Sequence, residues 1–432
     1  MPIKKFCFTR TALLLGVLTA ALPSWAAKSL RLADAQRRAL ERSRQLNAQD
    51  AAISASREMA IAAGQLPDPV LKFGVDNLPI DGADRFSLSR DFMTMRRVGV
   101  MQEMTRADKR QLKSERFKRE AEKSLAEKGA TTAAIERDTA LAWLDRYYTE
   151  AMASTITEQI RQAGLEIEAA ESAYRGGRGS QADIFAAKSA LAMIEDRASE
   201  IKRRVRTAKT ALARWIGEAA EAPLADIPDM NTVRLQIHTL EAHLQNHPEI
   251  AAMTKQEEIA ATEARLAQAN KRSDWSWEVA FQQRGSAYSN MISVGVSIPL
   301  QWDQNNRQDR EVASKLAMVE EMRARRDEML RAHVTEVRTM IDEWNNGRER
   351  QARYQRELLP LAKDRTQALL TTYRGGKASL ADVLGARRNE IDTRLQALQL
   401  DLEIARLWAQ INFIFPDASI ANALPTFSPE SK

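Results

Sequence analysis

One ten-residue stretch occurs twice in this chain, as YRGGRGSQAD at Tyr174–Asp183 and as YRGGKASLAD at Tyr373–Asp382, 199 positions later. In each copy a glycine pair permits the positive φ values that end a helix and reverse the chain. A serine hydroxyl then offers an N-cap, and an aspartate lies in the following first turn, where the helix dipole favours an anion. The other residues concerned are Gly176, Gly177, Ser180, Gly375, Gly376 and Ser379. The repeat predicts two helical hairpins, and this local chemistry explains most of the motif without any function.

Long helices are predicted on both sides of the two turns. Residues 105–174 contain no proline and only two glycines, and residues 307–373 are interrupted only by Gly347 and Pro360. A helix of about 65 residues is about 100 Å long, whereas helices of compact domains average about 12 residues. Apolar residues at 3-4 spacing between charged faces predict an extended coiled coil. Shorter helices are predicted over 29–66, 181–216, 235–271 and 379–413.

Apolar and polar residues alternate in two short regions, 70–104 and 275–299. The stretches VLKFGVD from Val70 and DWSWEVAFQQR from Asp274 each begin a pair of strands. A strand with one apolar and one polar face is typical of a transmembrane barrel wall. Two ordinary hairpins of a soluble sandwich fit the same alternation.

The predicted elements follow the same order twice: helix, strand pair, long helix, turn, helix. The link EAPLADIPDMN, with Pro223 and Pro228, lies between the two sets as a boundary should. We therefore expect a tandem duplication, with a first repeat over 27–222 and a second over 223–432 that includes a C-terminal tail.

The first 26 residues have the pattern of a secretory signal peptide: a basic start, a short apolar run, and small residues before a cut after Ala26. The only cysteine, Cys7, would leave with this segment, and no cysteine follows the apolar run to carry a lipid anchor. The segment holds three basic and no acidic residues, so its removal lowers the net charge from +6 to +3. We expect export to the cell envelope and no nucleic-acid partner.

No motif of an enzyme is present: G-x-S-x-G, H-E-x-x-H and phosphate-binding glycine loops are all absent from the sequence. We expect no catalysis and no cofactor. His243 and His247, four residues apart with His238 upstream, are weak candidates for a metal site, since ordinary polar surface explains them as well. A methionine group around the second predicted strand is equally weak as a soft-metal site; it comprises Met93, Met95, Met101 and Met104.

The ordered combination of signal peptide, two strand pairs, four long helices and twin YRGGxxSxAD turns resembles the TolC-like outer-membrane efflux family. The resemblance covers essentially the whole mature chain. Three stretches are similar in particular to its heavy-metal branch, the CzcC-like and CusC-like proteins: LPDPVLKFGVDNLP from Leu66, VGVMQEMTRADKR from Val98 and SVGVSIPLQWDQNNRQDREVA from Ser293.

The resemblance implies an α+β membrane protein that forms a homotrimer. Each protomer would contribute four strands to one β-barrel in outer-membrane lipid, and the helices would continue it as an α-helical coiled-coil barrel across the periplasm. Four strands cannot close a barrel alone, and open edges are not tolerated in lipid. The implied partners are a periplasmic adaptor and an inner-membrane pump of the RND type.

The resemblance also implies roles for the two turns. Tyr373 would be a gating tyrosine, Asp183 its hydrogen-bond partner across neighbouring hairpins, and Asp382 the acidic ring of the constriction. Tyr174 and the glycines and serines of both turns would dock the adaptor. Ala378 and Gly385 depart from the family pattern, which has charged residues there, so a single acidic ring is expected. For both aspartates an ordinary helix-start carboxylate remains the alternative.

The function expected is therefore a passive outer-membrane exit duct for heavy-metal cations, gated at its periplasmic tip. Two alternatives stay open. One is a soluble periplasmic coiled-coil adaptor or scaffold, which would not need the alternating strand pairs. The other is an outer-membrane duct for organic drugs or polypeptides. The sequence of a duct is a poor guide to whether it exports such molecules or metal cations.

Overall fold

The computed structural model describes residues 29–235 and 237–417, and the predicted signal peptide lies outside them. The described chain is mostly helical, with one small antiparallel sheet. Its helices are α1 (Leu32–Arg42), α2 (Arg44–Ala63), α3 (Ala107–Arg175), α4 (Gln181–Ile216), α5 (Leu240–Leu244), α6 (Pro248–Asn270), α7 (Gln308–Arg353), α8 (Leu359–Arg374) and α9 (Leu380–Asn412).

The long helices are where the sequence predicts them. Helix α3 has 69 residues, about 100 Å at 1.5 Å per residue. Helices α7 and α8 are joined by one π-helical turn, Tyr354–Leu358, just before Pro360, so the chain runs on as one rod to the second turn. Helix α4 has the predicted bounds, and α9 agrees within one residue at each end.

Two predicted helices are broken, and local chemistry explains both breaks. Ser43 adopts an extended backbone and its hydroxyl accepts from the Leu46 N–H at 3.3 Å, so α1 ends and α2 begins there. The stretch predicted as one helix from Leu235 instead has a 3₁₀ turn, the short α5, and a new start at Pro248. Proline suits the first helical position because its missing N–H would have no partner there.

The sheet comprises β1 (Val70–Asp76), β2 (Met95–Met104), β3 (Trp275–Gln283) and β4 (Met291–Ser297), in the order β1-β2-β3-β4 with antiparallel neighbours. Both predicted strand pairs are confirmed. The two strands of the first pair are joined by the long segment 77–94. Pairing of β2 with β3 joins the two halves of the chain into one sheet.

The main hydrophobic core lies at mid-length, where α3 packs against α1, the end of α4 and the end of α9, and α9 packs in turn against α7. Trp143 of α3 is fully buried there, and its indole donates to the Leu30 carbonyl at 3.1 Å. Leu30 in turn pairs with Leu224 of the proline link, which ties the N-terminal segment to the middle of the chain. Smaller apolar clusters follow the helices towards the two turns.

Among residues 29–235 and 237–417, no helix is both long enough and apolar enough to cross a membrane.

Candidate functional site

The two YRGG turns have the same backbone structure. The Arg178 N–H donates to the Ala173 carbonyl at 2.9 Å and the Gly177 N–H to the Tyr174 carbonyl at 3.0 Å. The second turn has the matching bonds, from Lys377 to Thr372 and from Gly376 to Tyr373. This is the Schellman motif, which satisfies the free carbonyls at a helix end. Each hairpin therefore reverses at a fixed point.

Only the second glycine of each pair needs to be glycine on backbone grounds. Gly177 and Gly376 have φ of 66° and 73°, the left-handed region that costs other residues energy. Gly176 and Gly375 have φ of −85° and −79°, which any residue adopts. The positive φ that each glycine pair was expected to permit is therefore used by its second member, because a Schellman ending requires it only at the residue after the C-cap.

Both predicted N-caps are present as full capping boxes. The Ser180 hydroxyl accepts from the Asp183 N–H, and the Asp183 carboxylate accepts from the Ser180 N–H and hydroxyl, each at 2.8 Å. Ser379 and Asp382 repeat the arrangement, with hydroxyl to carboxylate at 2.6 Å. These bonds stabilise the anionic form.

The pKa of each turn aspartate is lowered by its own N-cap serine. For Asp183 the backbone N–H of Ser180 is the largest cause, followed by its hydroxyl. For Asp382 the Ser379 hydroxyl comes first and the backbone N–H second. Both carboxylates are therefore ionised at neutral pH. Asp382 is exposed, so its charge reaches the solvent at the end of the hairpin.

The two turn tyrosines have different surroundings. Tyr373 is half-buried and packs against a small apolar cluster that includes Ala170 of α3 and Leu380 of α9. Tyr174 is 49% exposed, and Phe185 in the first turns of α4 is 62% exposed. The first turn thus leaves apolar rings uncovered, whereas the second packs against the body of the chain. The predicted bond between Tyr373 and Asp183 of neighbouring hairpins stays a prediction.

A buried ion network that sequence reasoning missed lies behind the turns. Arg387 of α9 contacts Glu166 of α3 and Glu390 of its own helix, both at 3.1 Å, and Arg394 contacts Glu390 at 2.8 Å. The side chain of Glu390 is 3% exposed and that of Glu166 10%. Burial raises the pKa of Glu166 and Arg387 opposes that rise. The network joins the long helix of the first hairpin to the second hairpin.

The sheet presents one apolar and one polar face. Phe73, Val98, Phe281 and Ile292 are paired in one row across all four strands, and each is exposed. The next row on the same face is also exposed, and it comprises Leu71, Val100, Val279 and Val294. An uncovered apolar surface of this extent marks contact with a membrane or a partner.

Ion pairs occupy the opposite face of the sheet. Lys72 contacts Glu278 at 2.6 Å, and Arg97 lies 3.4 Å from Asp76 and 3.6 Å from Glu278. The four groups come from β1, β2 and β3 and alternate in sign. Charges on one face and bare hydrocarbon on the other fit a wall between water and lipid.

The weak metal candidates are not brought together as the sequence suggested. The His243 ring bonds to the Thr239 carbonyl at 2.8 Å on the exposed side of α5. His247 lies beyond the end of α5 and caps α6, so the four-residue helical spacing does not apply. Its ring lies instead 4.9 Å from that of His333 on α7. The sequence held no sign of this partner, because the two histidines are 86 positions apart.

The methionine group is also dispersed. Met95, Met101 and Met104 belong to β2, where the pleat directs Met104 to the face opposite Met95 and Met101, and these two lie about 20 Å apart along the strand. Met93 lies in the segment before β2 and is exposed. The strand therefore separates the thioethers that the sequence places near one another.

No protein-family model matches this chain, and no curated protein matches it. Solved structures do. The outer-membrane channel OprN is 16% identical, with a TM-score of 0.74 over 89% of this chain and 90% of that one. CusC, whose structures concern folding and transmembrane channel formation, is 16% identical. Its TM-score is 0.73 over 89% of this chain and 90% of that one. The outer-membrane protein VceC of Vibrio cholerae is 18% identical, with a TM-score of 0.68 over 88% and 96%. The chain therefore has the TolC-like channel fold, and that expectation is confirmed.

Proposed function

We propose that this protein is the outer-membrane exit duct of a tripartite RND-type efflux system and works as a homotrimer. It is a passive conduit, and the energy for transport comes from an inner-membrane pump. Its long helices cross the periplasm and meet a periplasmic adaptor. Two observations support the proposal: the chain shares its fold with solved outer-membrane channels, and its sheet has one apolar and one polar face.

The two-faced sheet is the observation that carries this proposal. Within the described residues, β1 and β4 each pair on one side only. Open strand edges are not tolerated in lipid, so an apolar-faced sheet of four strands needs partners. A ring of three chains, with β4 of one beside β1 of the next, supplies them and closes twelve strands around a polar lumen. The tandem repeat supports this, since each repeat would provide one strand pair.

The gate is proposed at the two turns. Three copies of Asp382 form an acidic ring that favours cations, and Asp183 and Tyr373 link neighbouring hairpins in the closed state. The exposed turn residues dock the adaptor: Tyr174, Gly176, Gly177, Ser180, Gly375, Gly376 and Ser379. The capping boxes support the first role, because they keep the Asp382 carboxylate ionised at a defined position.

The cargo is proposed to be heavy-metal cations. Its support is the resemblance of three sequence stretches to the heavy-metal branch and the presence of CusC among the structural neighbours. Organic drugs or polypeptides remain the alternative cargo, since the channel fold is shared with several outer-membrane channels and does not itself distinguish between cargoes.

Single-channel recording of the purified trimer in a planar bilayer tests the proposal. We expect a small cation-selective conductance that loses selectivity in Asp382→Ala, while Asp364→Ala, a carboxylate on α8 away from the turn, leaves it unchanged. A conducting variant with unchanged selectivity would keep the duct and remove Asp382 from the gate. Folded protein that never inserts would favour the soluble scaffold.

A further inference from the structure

A cluster of two histidines and one glutamate lies in a cleft at mid-length, away from the turns and the sheet. His247 and Glu249 come from the start of α6, and His333 from the middle of α7. One nitrogen or carboxylate oxygen of each lies within 4.8 Å of those of the other two. The His333 Nε2 is already 3.1 Å from a Glu249 carboxylate oxygen. The cleft has a volume of about 410 Å³, so it has room for an ion and its water.

His247 is held in place by contacts outside the cluster. The residue is 6% exposed, and its ring packs edge-on against Phe415, with 5.5 Å between ring centroids. Its Nδ1 accepts only a long bond, 3.4 Å from the Glu249 N–H. These contacts hold the ring of His247 beside those of Phe415 and His333.

The charges around the cleft are compatible with a cation. Arg137 of α3 lines it, but its guanidinium pairs with Asp138 at 3.0 Å. Glu336, one helical turn beyond His333, and Asp138 add two carboxylates to the lining besides Glu249. Glu249 has an exposed side chain and can adjust towards an ion.

We propose that His247, Glu249 and His333 bind one divalent transition-metal cation of the zinc type. Two imidazoles and one carboxylate form a set that zinc takes with one open position, filled here by water from the cleft. Ligand atoms 2.0–2.2 Å from such an ion lie about 3.3 Å apart, so the Glu249–His333 separation already fits and His247 must approach. The ion would tie the start of α6 to α7 and stabilise their packing. This site does not rest on the proposed duct or on its cargo.

Zinc titration of the purified full-length protein by calorimetry tests the site directly. We expect one Zn²⁺ per chain in the wild type, and an affinity at least 100-fold lower in His333→Gln, since loss of even an outer partner costs 10- to 100-fold. His243→Gln is the matched control, an exposed histidine outside the cluster, and should bind as the wild type does. Saturating Zn²⁺ should also raise the thermal midpoint of the wild type and of His243→Gln, but not of His333→Gln.

Three results would overturn the site: no zinc bound by the wild type, equal affinity in His333→Gln, or loss of binding in His243→Gln. If His333→Gln does not fold, as its helical circular dichroism would reveal, Glu249→Gln replaces it because that side chain is exposed. The same stoichiometry and affinity in Glu249→Gln as in the wild type would then contradict the proposal. Calcium is a second probe, and equal binding of Ca²⁺ would contradict the zinc-type assignment because Ca²⁺ prefers oxygen ligands alone.

Discussion

The ion network behind the turns offers the sharpest test of how the two hairpins are held together. Arg387 is the only described cation within 4 Å of Glu166, and it also contacts Glu390. Arg387→Met keeps much of the side-chain volume but removes the charge. Glu166 is then left unpaired, and Glu390 retains only Arg394.

The expected loss follows from burial. Removing one partner of a buried ion pair typically costs 3–5 kcal/mol, because the other charge stays buried without compensation. The Arg387 side chain is 17% exposed, so we expect the lower end, about 3 kcal/mol. That free energy corresponds to a roughly 100-fold larger equilibrium constant for local opening. Protonation of Glu166 relieves the penalty, and burial already raises its pKa, so the loss should be smaller at pH 5 than at pH 8.

Hydrogen exchange read by mass spectrometry measures the local opening. Peptides that cover 160–170 and 385–395 should exchange roughly 100-fold faster in Arg387→Met, whereas peptides of the mid-length core should not change. Arg388→Met is the matched control, because the neighbouring arginine is exposed and makes no ion pair among the described residues. Equal protection in the two variants would refute the claim that the network joins the hairpins.

Two further predictions concern the sheet and the mid-length core. A Cβ added at Gly99 would lie 2.8 Å from the Ala280 Cβ, whereas none of the described atoms lies within 4 Å of a Cβ added at Gly295. Gly99→Ala should therefore lower the free energy of unfolding by about 1–3 kcal/mol, whereas Gly295→Ala should be nearly neutral. Equal thermal midpoints in the two variants would contradict the close approach of β2 and β3 at Gly99. Burial raises the pKa of Glu136 from 4.5 to about 7, so the folded state holds this proton more tightly than the unfolded state does. The contribution of Glu136 to the free energy of unfolding should therefore be lost as pH rises from 4.5 through 7, and this loss is at most about 3 kcal/mol. Glu136→Gln should remove this contribution to the pH dependence and the exposed Glu168→Gln should keep it, so a pH dependence unchanged in Glu136→Gln would show that this carboxylate does not titrate as described.

Much of the fold could be predicted from the sequence because its signals are local. A Schellman turn and a capping box are each specified within ten consecutive residues, so Tyr174–Asp183 and Tyr373–Asp382 could be interpreted without knowing the rest of the chain. Alternation within β1 and β4 likewise reports which face of a strand is apolar. Proline at 248 also has a local meaning, but it marks a new helix start only together with the end of α5.

The rest could not be predicted because it depends on contacts between distant polar residues. Glutamates and arginines are frequent on the long helices. Nothing in the local sequence distinguishes Glu166 and Arg387, which meet in the buried network behind the turns, from the many solvent-exposed ion pairs. His333 gave no sign of meeting His247 for the same reason. Pairing of β2 with β3 follows from how the two halves pack, since their residues lie far apart in sequence.

The orientation of the sheet at a lipid boundary is the central claim, and spin-label accessibility tests it most directly. Cys7 is the only cysteine, so Cys7→Ser provides a background for the single variants Phe73→Cys, Ser293→Cys and Val294→Cys. In proteoliposomes, labels at 73 and 294 should collide mainly with oxygen, which partitions into lipid. The label at 293, on the polar face, should collide mainly with a water-soluble nickel complex. Equal access of the nickel complex to all three positions would contradict a sheet that separates lipid from water.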